Sequence, residues 1–193
     1  EPFDVSPYAH EMFRYFLRNP ICQEMGRKFK ISFSSSEDDT AFGFIHDLGF
    51  IPRLAFGKRG FRVVIGGGLG ANPYLAQLAY EFLEEDQIIP FTEAVLRVFD
   101  RYGERNRRMK ARLKFLLDDV GLEKLMSLVE EEKKALKNNT YKINTDSVPE
   151  PVLPTIEKYD DVTIQDEQKY QRWLKTNVFA QKQEGFFGVY VKL

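Results

Sequence analysis

The stretch Arg27-Lys28-Phe29-Lys30-Ile31-Ser32-Phe33 alternates polar and apolar side chains over the length of a short strand. Successive side chains of a strand point to opposite faces, so Lys28 and Lys30 are predicted on one face and the apolar side chains on the other. Two ammonium groups about 7 Å apart on a strand form a site for an anion. The alternative is an ordinary exposed sheet face with solvated lysines.

A glycine turn, Gly66-Gly67-Gly68-Leu69-Gly70, follows a continuous apolar run that predicts a buried strand. Free backbone N–H groups of such a turn can cradle a phosphate. A dinucleotide site is not supported, because no second parallel strand ends in an acid about 20 residues further on. Two interpretations stay open: a tight turn that needs positive φ, or close approach of the backbone to a flat or anionic cofactor.

A basic segment from Arg101 to Lys114 holds seven basic residues and one acid, in a chain of net charge −1. On a helix predicted over 107–118, Arg112 lies at the edge of the apolar stripe with no acid three or four positions away. Such an arginine needs solvent, a distant acid or a ligand anion. Lys114 can pair with Asp118 at i,i+4 and is assigned to the solvated face.

Apolar periodicity predicts an α+β fold in which helices pack on a mixed sheet. The helices are expected over 8–18, 73–84, 91–102, 107–118 and 122–136, and the strands over 28–34, 41–46 or slightly later, near 50–56 and over 61–65. Residues 137–165 are rich in Asn, Thr, Lys, Asp and Pro with little periodicity, which predicts an extended linker. A short helix over 168–175 and a strand from Gly185 then form a small αβ piece.

The 193 residues have room for one domain, or for one domain and part of another. No apolar run approaches the ~20 residues of a membrane span, and no signal peptide opens the chain, so a cytoplasmic protein without a membrane partner is expected. The start lacks an initiator Met, which predicts a processed or excised segment. Cys22 is the only cysteine, which excludes an intrachain disulfide and a four-thiolate cluster. His10 and His46 are interpreted as structural, and no metal-ligand spacing is present.

Several motifs in order resemble the sulfite and nitrite reductases that couple siroheme to an iron–sulfur cluster. The motifs are Arg-Lys-Phe-Lys at 27–30, His-Asp-Leu-Gly-Phe-Ile at 46–51, Gly-Phe-Arg-Val-Val-Ile-Gly-Gly-Gly-Leu at 60–69 and Arg-Met-Lys-Ala-Arg-Leu-Lys at 108–114. Residues 4–9 and 90–97 fit the same family, so the similarity covers residues 4–136. The Ser34 to Asp39 loop departs from the family's usual turn, which puts any cofactor contact from that loop in doubt.

The resemblance implies one half of the family's pseudo-twofold. Residues 1–136 would be the first siroheme-pocket domain, 137–165 a linker, and 166–193 the start of the second, ferredoxin-like half. Lys28 and Lys30 resemble the catalytic lysines of the substrate site. Contacts to siroheme are implied for the following residues: Arg27, Gly67, Gly68, Arg108 and Arg112.

The function implied is the six-electron reduction of sulfite or nitrite bound to siroheme, with electrons from ferredoxin or a reductase flavoprotein. Lys30 favours sulfite, because the plant nitrite reductases tend to carry Asn there. The cysteine ligands of the 4Fe-4S cluster would lie outside this chain, so the chain alone is expected to be inactive.

Two other classes of function stay open. A module that binds anions or nucleic acid would need exposed aromatic side chains beside the basic patch; the predicted core positions of Phe29, Phe33, Tyr102 and Phe115 favour no nucleic-acid partner. A non-catalytic structural domain would pair every basic group with an acid.

Overall fold

A mixed four-stranded sheet forms the centre of the larger part of the chain. The computed structural model describes residues 2–146, 163–181 and 184–191, and it divides into two compact units, Glu1–Pro149 and Glu150–Leu193. The first unit contains helices α1 (Ser6–Phe16), α2 (Ile88–Tyr102), α3 (Leu113–Val120) and α4 (Leu122–Lys134), and strands β1 (Ile31–Phe33), β2 (Leu48–Ala55), β3 (Lys58–Ile65) and β4 (Gln77–Glu84). This architecture confirms the predicted α+β class.

The strands follow the order β1-β2-β3-β4 across the sheet. β1 pairs with β2 in parallel, whereas β2 with β3 and β3 with β4 are antiparallel. The β2–β3 hairpin turns at Phe56 and Gly57, whose φ angles of 52° and 73° match the positive values that a tight hairpin turn of this kind requires. The parallel pairing places the start of β1 beside the start of β2, where Asp47 precedes the strand.

Helices α1, α2 and α4 cover one face of the sheet. The core there includes fully buried aromatic rings: Tyr8, Phe50, Phe61 and Phe91. On the opposite face the 3-10 turn Gly43–Ile45 packs so closely that a Cβ on Gly49 would lie 2.6 Å from the Gly43 Cα. Both faces of the central strands are therefore covered near the end of the sheet at which β2 begins.

Three predicted elements differ from the structure. The helix predicted over 73–84 is wrong: this segment contains β4, which pairs with β3, and Leu75 and Leu78 of the expected apolar stripe are exposed. The strand predicted over 41–46 or slightly later does not form separately from the one near 50–56, since Gly43–Ile45 is a 3-10 turn and the strand that follows is β2. The helix predicted over 107–118 begins only at Leu113, after a separate 3-10 turn at Arg108–Lys110. Long-range pairing overrides local periodicity in β4.

The second unit contains helix α5 (Glu167–Asn177) and the antiparallel strands β5 (Val178–Ala180) and β6 (Phe187–Val189). The Asp166 side chain caps α5 by accepting a hydrogen bond from the Lys169 backbone N–H at 3.0 Å. Residues 147–162 of the predicted linker lie outside the described residues, and the predicted domain limits stay predictions. Among the described residues, no helix is both long and apolar enough to cross a membrane.

Candidate functional site

Lys28 and Lys30 lie in the extended segment immediately before β1, and both are exposed. Phe29 and Phe33 face the core instead, where their rings contact Phe99 and Phe50 with centroids 5.9 and 4.9 Å apart. Within the described part of the chain, neither lysine ammonium has an ion-pair partner. The two lysines are thus exposed cations without an ion pair, although the charge of Lys30 offsets part of the raised pKa of Asp47.

Asp47 joins the start of β1 to the start of α3. Its carboxylate is fully buried, and Oδ2 accepts hydrogen bonds from the Lys30 backbone N–H at 2.9 Å and from Arg112 Nη2 at 2.7 Å. Burial raises the pKa of Asp47, and the Arg112 guanidinium offsets part of that rise. Arg112, which has no acid near it in sequence, therefore finds a distant one in the fold.

The glycine turn uses its backbone N–H groups inside the protein. Gly66 N–H donates to the Asp47 carbonyl, Gly67 N–H to the His46 carbonyl and Gly68 N–H to the Tyr74 carbonyl, each at 2.9 Å. These three groups are therefore not free to cradle a phosphate.

Gly67 and Gly68 each approach another part of the protein closely. A Cβ on Gly67 would lie 2.3 Å from the Phe44 carbonyl oxygen, and one on Gly68 would lie 3.0 Å from Arg112 Nη1. Gly67 is thus required by backbone packing, and Gly68 makes room for the Arg112 guanidinium. A cofactor contact at either residue stays a prediction.

Lys114 corrects the expectation of a solvated side chain. It is buried, and its ammonium donates to the carbonyl oxygens of Gly68 at 3.4 Å, Leu69 at 3.3 Å and Asn72. The ammonium also lies 5.3 and 5.0 Å from the ring centroids of Tyr74 and Phe115. Burial lowers the pKa of Lys114, and the charge of Arg112 lowers it further. Asp118, the expected partner, accepts from the Tyr74 hydroxyl instead.

The other arginines divide into paired and unpaired groups. Arg105 pairs with Asp100, and Arg107 with Glu104. Arg108 is exposed and makes no ion pair with any described residue. A non-catalytic structural domain would pair every basic group with an acid. The described part of the chain does not meet this expectation, because some of its basic groups are unpaired.

Several buried polar atoms near these cations have no hydrogen-bond partner among the described residues. Those around β1 and Asp47 are Arg27 Nε, Ser32 Oγ, Asp47 Oδ1 and Arg112 Nε. Buried polar atoms are normally hydrogen-bonded, so this group leaves donors and acceptors available to a polar ligand. The sequence motifs include Asp47 and Ser32 but predict no role for either, because their surroundings are made by residues distant in sequence.

A largely apolar groove of about 750 Å³ lies between α1 and β1. Its lining includes Phe13, Phe16 and Phe33 together with Arg27 and Lys28, but not Lys30, Asp47 or Arg112. The described residues contain no cluster of His, Cys, Asp and Glu that could hold a metal ion. His46 Nδ1 is bound to the Phe42 carbonyl at 2.8 Å, and burial raises the pKa of the Cys22 thiol.

Comparison with known proteins places these features in context. Residues 1–137 match the family model described as the nitrite and sulphite reductase 4Fe-4S domain. The chain is 37% identical over 134 residues to "Sulfite reductase [ferredoxin] 1" of Mycolicibacterium paratuberculosis, covering 68% of this chain and 24% of that protein. It is 28% identical over 198 residues to the chloroplastic "Ferredoxin--nitrite reductase" of Oryza sativa subsp. japonica, covering 99% of this chain and 30% of the relative.

A solved structure of the Mycobacterium tuberculosis NirA protein superposes with a TM-score of 0.60 at 31% identity. The match covers 78% of this chain and 27% of that chain. The chain thus spans about a quarter to a third of the length of these proteins.

Proposed function

Because the chain belongs to the nitrite and sulphite reductase family, we propose that it is part of a larger enzyme that reduces sulfite or nitrite by six electrons. In this proposal the chain supplies one wall of a siroheme pocket and the lysines that face the bound anion. The observation that carries it is that Lys28, Lys30 and Arg108 make no ion pair with any described residue, together with the buried, unpaired Nε atoms of Arg27 and Arg112.

The residues present fit siroheme, a tetrapyrrole with many carboxylates. Arg27, Arg108 and Arg112 retain N–H groups with no protein acceptor among the described residues, and guanidinium groups bind carboxylates through paired hydrogen bonds. A 4Fe-4S cluster does not fit this chain, because its sequence offers a single thiol, Cys22. The cluster ligands of the whole enzyme would lie in sequence outside these 193 residues, so this chain alone is expected to be inactive.

Lys28 and Lys30 would act on the anion itself. Siroheme, when bound, transfers the electrons. The two ammonium groups would hold the oxyanion by charge and hydrogen bonds and would supply protons to the oxygens that leave as water. Asp47 fixes the backbone at Lys30 through the 2.9 Å hydrogen bond, which limits where that side chain can reach. Lys30 supports sulfite as the preferred substrate, and ferredoxin or a reductase flavoprotein would be the electron donor.

Substitution of the lysine pair tests this function. In the full-length enzyme, Lys28→Met/Lys30→Met is expected to lower kcat/KM for sulfite by at least about 100-fold, because both groups that stabilise developing charge are removed. The control Lys124→Met changes an exposed lysine on α4 and should stay within twofold of the wild type. Measurement uses steady-state sulfite and nitrite reduction with a chemical reductant, at matched siroheme content. Full activity in the double variant would refute the assignment.

A further inference from the structure

Asp47 is a buried carboxylate that accepts hydrogen bonds from two groups distant from it in sequence. Its side chain is 0% exposed, and a buried carboxylate is costly unless it is paired and hydrogen-bonded. Oδ2 carries both of its described hydrogen bonds, and Oδ1 has no partner among the described residues. Replacing Asp47 by an apolar side chain would leave the Lys30 N–H and the Arg112 guanidinium without their acceptor.

The two groups that Asp47 holds are both assigned to the ligand site. One is the backbone N–H of Lys30 and the other is the guanidinium of Arg112, and both donate to the same oxygen. Gly68 contacts that guanidinium as well, since a Cβ there would lie 3.0 Å from Arg112 Nη1 and 3.1 Å from Nη2. The carboxylate of Asp47 and the backbone at Gly68 together fix where the guanidinium lies.

Arg112 keeps donors for a further acceptor in this arrangement. Nη2 donates to Asp47, while Nε and Nη1 donate to no acceptor among the described residues. The Arg112 side chain retains 13% exposure, so it is not sealed within the protein. An arginine held by one carboxylate, with unpaired N–H groups and part of its side chain still exposed, can donate to a second carboxylate.

We propose that Asp47 is a positioning residue that fixes Arg112 for a siroheme carboxylate and sets the backbone from which Lys30 reaches the anion. The inference rests on the proposed function and assigns a role to a residue that does not itself touch the ligand. It is separable from that function, because a contact between Arg112 and siroheme does not itself require that Asp47 orient the guanidinium.

A double-mutant cycle in the full-length holoenzyme tests the inference. The variants are Asp47→Asn, Arg112→Gln and the two combined, and the measurement is the first-order rate of siroheme release, followed by loss of its visible absorbance. Asparagine retains an oxygen for the Lys30 N–H but removes the charge that holds Arg112. Each single variant is expected to release siroheme about tenfold faster, and the double variant also about tenfold faster, because coupled residues are not additive.

The possible results distinguish a failure of this inference from a failure of the proposed siroheme contact. Release about 100-fold faster in the double variant, or an unchanged rate in Asp47→Asn beside a faster one in Arg112→Gln, would overturn the inference alone. An unchanged rate in Arg112→Gln would instead count against the proposed siroheme contact. If Asp47→Asn yields no holoenzyme, Asp47→Glu takes its place in the same cycle, because it keeps the charge but moves the carboxylate: a double variant no faster than Arg112→Gln supports the inference and a further tenfold increase refutes it. Glu81→Gln, which removes an exposed carboxylate paired with Arg62, serves as the control.

Discussion

The burial and the hydrogen-bond partners of Lys114 depend on its surroundings in the fold. An ammonium four residues before an aspartate predicts a surface ion pair, yet here it donates to carbonyl oxygens of the glycine turn and lies near two aromatic rings. Because the turn also contains Gly68, which contacts Arg112, Lys114 stabilises the loop against which the guanidinium rests.

Removing this ammonium is expected to destabilise the chain. Lys114→Met should lower the free energy of unfolding by about 2 to 3 kcal/mol, because hydrogen bonds from a charged donor are lost and buried carbonyl groups are left unpaired. Urea unfolding followed by circular dichroism measures the change. Lys110→Met, at an exposed position, should change it by less than about 0.5 kcal/mol. A loss no larger at Lys114 than at Lys110 would show that the carbonyl contacts contribute nothing.

For single residues, the alternation of polar and apolar side chains predicts which side chains are exposed. It does not predict contacts between residues that are far apart in the sequence. The exposed Lys28 and Lys30 beside the inward Phe29 follow from a period of two. Asp47 and Lys114 could not be found this way, because their partners come from segments far apart in the chain. The catalytic and cofactor roles of the predicted site residues stay predictions.

Among the elements, helix α1 is attached to its neighbours by tyrosine–glutamate hydrogen bonds. The Tyr8 hydroxyl donates to Glu85 in the 3-10 turn after β4, and the Tyr15 hydroxyl donates to Glu93 of α2 at 2.5 Å. Burial, followed by the hydrogen bond to glutamate, raises the pKa of each tyrosine to about 12. Both attachments therefore depend on neutral phenols.

Alkaline pH is expected to weaken these attachments. An unfolded tyrosine ionises at its ordinary pKa of 10.0, whereas Tyr8 and Tyr15 hold their protons to about 12 in the folded chain. The unfolded state therefore binds fewer protons between pH 10 and 12, so the free energy of unfolding falls as pH rises through that window. Below pH 10 the contribution is fully present.

The variant Tyr8→Phe/Tyr15→Phe should lose part of this dependence on pH, measured by urea unfolding at steps from pH 9 to 12. Tyr102 was predicted in the core but is 48% exposed, so the control variant Tyr102→Phe should keep the wild-type slope. An unchanged slope in the double variant would mean that other groups cause the alkaline loss.

Apolar periodicity predicts some of the helices correctly. α2 and α4 begin and end within a few residues of the expected positions, because their apolar residues recur at helical spacing and are buried. β4 was mistaken for a helix because its apolar residues fit a helical spacing, while its pairing with β3 depends on a strand elsewhere in the chain. Of the strand predicted over 28–34, only Ile31–Phe33 pairs in the sheet, as the edge strand β1, and Lys28 and Lys30 precede it.

For the molecule as a whole, the core belongs to the first unit. The main cluster of buried apolar side chains runs from Phe3 to Ile143, and the described residues from 163 onward include no buried side chain. A chain ending at Pro149 is therefore expected to unfold cooperatively with a midpoint within about 2 °C of the 193-residue chain. Thermal unfolding by circular dichroism compares the two. A fall of more than about 10 °C would mean that the second unit stabilises the first.

Siroheme content tests most directly whether this chain forms a siroheme pocket wall. The full-length enzyme is purified as the wild type, as Arg27→Ala/Arg112→Ala and as the control Lys124→Ala, and siroheme per protein is measured by extraction and absorbance. The wild type and the control are expected to contain about one siroheme per chain, and the double variant less than half as much with a faster rate of loss, because two guanidinium donors are removed. Absence of siroheme from the wild type, or full and equally stable occupancy in the double variant, would contradict the proposed pocket.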